Sequence, residues 1–169
     1  AILPPKFLPD QLLRHVSELS TAEMEGRGLT TAGINRAAHY IGDRFREAGL
    51  QTLGGTYNHP WSSTVAGIGS IDLANVVGVL PGSNRELSSE PIILAAHYDH
   101  LGIDPESGEV YAGADDNASG VSILIEIASK LSATFTPQRP ILFVAFTGEE
   151  AGLIGSDYFV KNPPGGFAS

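Results

Sequence analysis

The sequence predicts an α/β fold: three layers, a mostly parallel central sheet with helices on both faces, and a sheet truncated at its C-terminal end. Three observations lead there. Two unbroken apolar runs, Ile92–Ala96 and Ile141–Phe146, read as strands buried on both sides, because a strand with one wet face alternates and these do not. Between them lies "VSILIEIASKL", residues 121–131, with the length and composition of a helix that buries one face. Strand, helix, strand in that order is a crossover, and a crossover joins parallel neighbours.

The elements follow in order along the chain. Pro9-Asp10 opens a helical pattern with Leu12, Leu13, Val16 and Leu19 on one stripe, which Gly26 and Gly28 end. A second helix is predicted from Thr31 to Ala48, with Ile34, Ala37, Ala38, Ile41 and Phe45 at helical spacing and Gly49 as its stop. Residues 54–69, rich in Gly, Ser and Thr around Tyr57 and Trp61, read as loop with room for one edge strand. "LANVVGVLPG" is a strand closed by a Pro-Gly turn, and "NRELSSE" is a polar connection to the strand "PIILAAH". After the long helix, "RPILFVAFTGEE" gives another strand and "GLIGSDYFVKN" a short helix.

Bulk properties narrow the function. A chain of 169 residues is one domain's worth. Its formal charge of −9 repels phosphate backbones and anionic lipid surfaces, so neither nucleic acid nor membrane is an expected partner. With no cysteine, disulfides, thiolate nucleophiles and Cys-type zinc sites are excluded. No apolar run is long enough to span a bilayer, and the opening "AILPPKFLPD" lacks the charged start and apolar middle of a secretory signal.

Both apolar strands end in chemistry. The first runs into His97, Tyr98, Asp99 and His100; the second runs into Thr147, Gly148, Glu149 and Glu150. Asp115 and Asp116 stand just before the intervening helix. Open α/β sheets gather ligands beyond the carboxyl ends of their strands, so parallel strands would bring all three clusters to one edge. Imidazole with several carboxylates suits zinc, which accepts mixed nitrogen and oxygen ligands.

Each piece alone has a plainer explanation. A lone histidine at a strand end is more often hydrogen-bonded than metal-bound, paired aspartates suit a helix N-terminus, and adjacent glutamates suit a wet loop. The coincidence of three such sets at element junctions is what these explanations miss. His15, His39 and His59 have no such context, and Tyr98 and His100 flank the motif without an assigned role.

"AHYDHLG", "GADDNASG" and "FTGEEAGLIGS", in that order, resemble the M28 family of zinc-dependent aminopeptidases with two co-catalytic metals, and its related carboxypeptidases. "EMEGRGLTTAGINRAAHYIGDRFREAGL" resembles that family's opening segment, so the resemblance covers nearly the whole chain. It implies that His97 binds one Zn2+, Glu150 the other, and Asp115 bridges the pair, with a cis peptide between Asp115 and Asp116. It also implies that Asp99 orients the His97 ring and that Glu149 is the general base. The family supplies two further ligands, an acid and a histidine, from chain beyond this one. The resemblance therefore implies an incomplete catalytic domain over residues 1–169, with weak metal binding, little turnover, and an uncovered sheet edge open to self-association.

The expected substrate is a peptide, shortened from its amino end. Two alternatives stand beside that reading: a non-catalytic binding or assembly domain on the same scaffold, or carboxypeptidase, amidohydrolase or glutaminyl-cyclase chemistry there. Retention of Glu149 beside the ligands argues against the first, since binding needs no base. Absence of cysteine and the family resemblance point to an extracellular or periplasmic home.

Overall fold

Pro9 stands at the first turn of a helix, where its missing N–H is no loss and its fixed φ is already helical. In a computed structural model of the chain, which describes residues 6–166, that helix is α1, Pro9–Leu19. The first five residues, part of the opening set against a secretory signal, and the last three residues of the tail lie outside the described residues. A tight 3-10 turn at Ala22–Arg27 leads into α2, Ala32–Glu47, whose Ile34, Ala37, Ala38, Ile41 and Phe45 are buried as their spacing requires. Gly49, at φ +75°, ends it in the left-handed conformation that costs glycine least.

The sheet has four strands: β1 (Asn58–Val65), β2 (Gly69–Leu80), β3 (Ile92–His97) and β4 (Ile141–Phe146). Their order across the sheet is β1-β2-β4-β3. α3, Ser119–Thr134, carries the crossover from β3 to β4, and α4, Ile154–Lys161, follows β4. β3 and β4 are parallel, in the register Ile92↔Ile141 to His97↔Phe146, as the crossover predicts. The α/β class holds, but the sheet is mixed and not mostly parallel among the described strands. β1 and β2 form a hairpin across Val65–Gly69, and β2 runs antiparallel to β4.

Alternation along β2 and β4 divides the core in two. Val76, Leu80, Ile141, Phe143 and Ala145 face α1, α2 and α3; Val77, Val79, Leu142 and Val144 face the other way, where Phe159 of α4 covers them. Helices therefore lie on both faces. β4 is buried throughout except at Phe146. β3 departs from its apolar pattern: Ile92 and Ile93 are nearly half exposed, because the strand lies at the sheet edge and not in its middle. No described helix is long and apolar enough to cross a membrane.

His15, given no role by its context, is a buried pin between helices. In its neutral form Nε2–H donates to Glu126 of α3 at 3.3 Å, and Nδ1 accepts from the Tyr40 hydroxyl of α2 at 2.6 Å. Burial pulls its pKa down, consistent with the neutral ring.

Candidate metal and catalytic site

Because His97 pairs with Phe146 in the parallel register, the two chains leave the sheet side by side, and their next residues meet. Tyr98 N–H still donates to the Phe146 carbonyl at 2.9 Å, and the buried Tyr98 hydroxyl donates to Ala74 O at 2.7 Å. Beyond that point Gly148, at φ +68°, turns the chain out of the strand. The Gly152 and Leu153 amides then close back on the Glu149 carbonyl at 2.9 and 3.0 Å. That turn lets two consecutive glutamates serve one site, which a continuing strand would forbid.

Asp99 holds the turn. It is fully buried, and its two carboxylate oxygens accept the backbone N–H of Glu149 at 3.1 Å and of Glu150 at 3.2 Å. Burial pushes its pKa up, against the pull of those two amides and of His97. The expectation that this carboxylate orients the His97 ring needs correction. His97 Nδ1–H donates to the backbone carbonyl of Asp99 at 3.3 Å, while the nearest carboxylate oxygen stands at 3.7 Å, beyond a hydrogen bond. With its proton on Nδ1, His97 turns the lone pair of Nε2 outward. That atom is 3.1 Å from Asp116 Oδ1 and 4.0 Å from Glu149 Oε2.

The acid beside His97 is Asp116, and not Asp115. Gly113 is left-handed, and Asp116 and Asn117 take non-helical backbone angles inside what would otherwise be one helical turn. This break turns Asp116 toward His97, although its side chain is still 63% exposed. Asp115 stays exposed outside it, with its backbone carbonyl accepting from Ser119 Oγ at 2.6 Å and no ion pair to either site histidine. The cis peptide also falls one residue later than expected, at Asp116–Asn117. Nothing in the spacing of two consecutive acids separates them. Asn117 carries the missed signal: its Oδ1 accepts the Gly120 amide at 3.0 Å, marking it as the cap ahead of α3 and Asp116 as the last residue before the cap.

His100, without an assigned role from sequence, belongs to the same cluster. Its Nδ1–H donates to Glu150 Oε1 at 2.9 Å. Ligand-type atoms of His100, Asp116 and Glu150 all lie within 4.8 Å of one another. The segment behind them is organised by Arg27, a fully buried guanidinium with no carboxylate in hydrogen-bond contact among the described residues. It donates to the carbonyls of Leu19, of Tyr98 at 2.8 Å, of Ala112 at 3.0 Å and of Gly113 at 2.7 Å.

The donor set suits a divalent cation. Asp116 and Glu150 approach each other, and His97 Nε2 faces Asp116, with lone pairs converging and, among the described residues, no Lys or Arg side chain bonded to either acid. Convergence of that kind is costly without a positive charge between the groups. A cleft of about 300 Å3 opens beside His97 and Glu149, walled by Ala96, Phe146 and Leu153.

The model of Peptidase family M28 matches residues 75–167. Among curated relatives, a "Probable zinc metalloprotease" of Pyrenophora tritici-repentis is 34% identical over 78% of this chain and 28% of its own length. Aminopeptidase YwaD of Bacillus subtilis is 34% identical over 52% of this chain and 17% of its own. Among solved structures, glutaminyl cyclase of Porphyromonas gingivalis superposes with a TM-score of 0.76 at 22% identity, covering 93% of this chain and 56% of that one. The chain thus spans under a third of these curated relatives and rather over half of that solved structure.

Proposed function

The chain belongs to peptidase family M28, and from that premise we propose that it forms the zinc-binding part of an aminopeptidase that shortens peptides from their amino end. The observation that carries this reading is the meeting of His97, Asp116, Glu149 and Glu150 at the carboxyl ends of two parallel strands. His97 and Glu150 would each hold one of two Zn2+ ions, with Asp116 as the acid between them. Such a pair supplies a Lewis acid for the scissile carbonyl and an activated water near neutral pH.

The chain's own residues do the rest. Glu149 Oε2, within 4.0 Å of His97 Nε2 and partly open to solvent, receives the proton of the attacking water and returns it to the leaving amine. Asp99, through the amides of Glu149 and Glu150, keeps base and ligand on the same side of the turn. The cleft along Ala96, Phe146 and Leu153 receives an apolar part of the substrate.

Likeness to a glutaminyl cyclase is likeness of fold, and one fold hosts several chemistries. Substrates separate them. The chain, and the longest natural product that contains it, are titrated with zinc and assayed on leucine anilide, on its N-acetylated form, and on a peptide with N-terminal glutamine. We expect zinc uptake by both, hydrolysis confined to the free-amine anilide, and much slower turnover by the chain alone. The described residues give each ion only two of the three protein ligands that catalytic zinc sites usually have. Equal rates on free and blocked anilides overturn the aminopeptidase reading; ring closure of the glutamine peptide replaces it with the cyclase.

A further inference from the structure

We propose that His100 is a positioning residue for Glu150, fixing which oxygen of that carboxylate is offered to a cation. The inference deepens the zinc reading above and rests on it. The imidazole is 12% exposed and has little freedom to turn. Its backbone N–H donates to the Arg27 carbonyl at 3.2 Å, and its ring edge lies against Gly113, where an added Cβ would stand 2.6 Å from the ring's Cδ2. Gly113 takes φ +60°, so a side chain there would strain the backbone and strike the ring together.

Held in this way, the ring directs Nδ1 at Glu150 Oε1, 2.9 Å away. A carboxylate can only accept, so the Nδ1 proton lies between the two atoms, and Oε1 is engaged. Oε2 is then the oxygen free to face Asp116 and a shared cation. A carboxylate ligand with one oxygen fixed is held in one rotamer before the ion arrives, which reduces the ordering that binding must impose. His100 thus acts through Glu150: the nitrogen nearest the cluster gives its proton to the ligand and does not itself face the metal.

Asparagine and glutamine test this directly, because an Asn amide nitrogen reproduces the position of Nδ1, whereas a Gln amide reaches the position of Nε2. Zinc affinity is measured by chelator competition for the unsubstituted chain and for His100→Asn, His100→Gln and His100→Leu, with the melting of each metal-free variant recorded alongside. We expect His100→Asn to stay within about threefold of the parent, and the Gln and Leu variants to lose roughly 10- to 100-fold. Equal affinity in all four proteins overturns the positioning role and leaves the zinc site standing. Equal loss in all three variants, with cobalt substitution showing one nitrogen ligand fewer, makes His100 a metal ligand and also overturns it. A parent chain that takes up no zinc sinks the metal reading and this role together. Should Gln and Leu variants fail to fold, the Asn variant decides, since loss there beyond about tenfold contradicts donation from Nδ1.

Discussion

Asp115 and Asp116 have the same chemistry, the same exposure and the same place before α3, and only the broken turn after Gly113 brings one of them within 3.1 Å of His97. Their amides should therefore behave differently. We expect Asp116→Asn to lower zinc affinity by roughly 100-fold or more, since a neutral amide replaces the charge that the proposed bridging role requires, while Asp115→Asn stays within about threefold of the parent. Isothermal titration with zinc measures both; matching losses would return the bridging role to Asp115. At this scale the sequence marked His97, Asp99, Glu149 and Glu150 correctly as neighbours, because each ends or follows a strand and strand ends are readable. It passed over His100, whose role depends on a contact 50 residues away, and it misjudged Asp99, whose carboxylate turned out to hold two amides of the glutamate turn.

Elements were legible where their periodicity was strong. α1, α2, α3, α4 and the strands β2 and β4 lie close to their predicted places because amphipathic spacing, a Pro start or a Gly stop fixes each one locally. β1 was only a possible strand, since its Ser, Thr and Pro content carries little strand preference and its pairing with β2 forms the element. The 3-10 turn at Ala22–Arg27 was seen only as a helix end, yet it is the part that joins the N-terminal helices to the site. Its left-handed residues Glu25, Gly26 and Arg27 aim the guanidinium at carbonyls on either side of the ligand loops. Arg27→Met takes the guanidinium donor from four carbonyls, of which the Leu19 and Tyr98 bonds are buried and the Gly113 carbonyl keeps the Ala118 amide, and should cost about 3 kcal/mol or more in urea unfolding of the metal-free chain, while Arg27→Lys, which keeps the charge and some of the bonds, should cost less. A loss below about 1 kcal/mol in the Met variant would mean that water can take over those carbonyls and that the turn is not held by them.

At the scale of the whole molecule, the outer edge of β3 stands open among the described strands. An apolar run predicted a strand covered on both sides, but among the described residues β3 is bonded to β4 alone, and Ile92 and Ile93 stand 48% and 47% exposed beside it. Sequence could not reveal this, because an apolar run records that a strand is meant to be covered and not which chain covers it. Unpaired amides and carbonyls flanked by isoleucines are a template for another strand. The chain should therefore self-associate in the tens to hundreds of micromolar range, even though its charge of −9 opposes close approach, and the association should strengthen as salt screens that charge. Ile93→Lys places a charge that no edge pairing can bury and should restore the monomer without disturbing zinc uptake, since residue 93 lies at the far end of the strand from His97. Sedimentation velocity across concentration and salt measures both forms. A parent chain that stays monomeric throughout, or an Ile93→Lys variant that associates as strongly, would show that this edge is closed to partners.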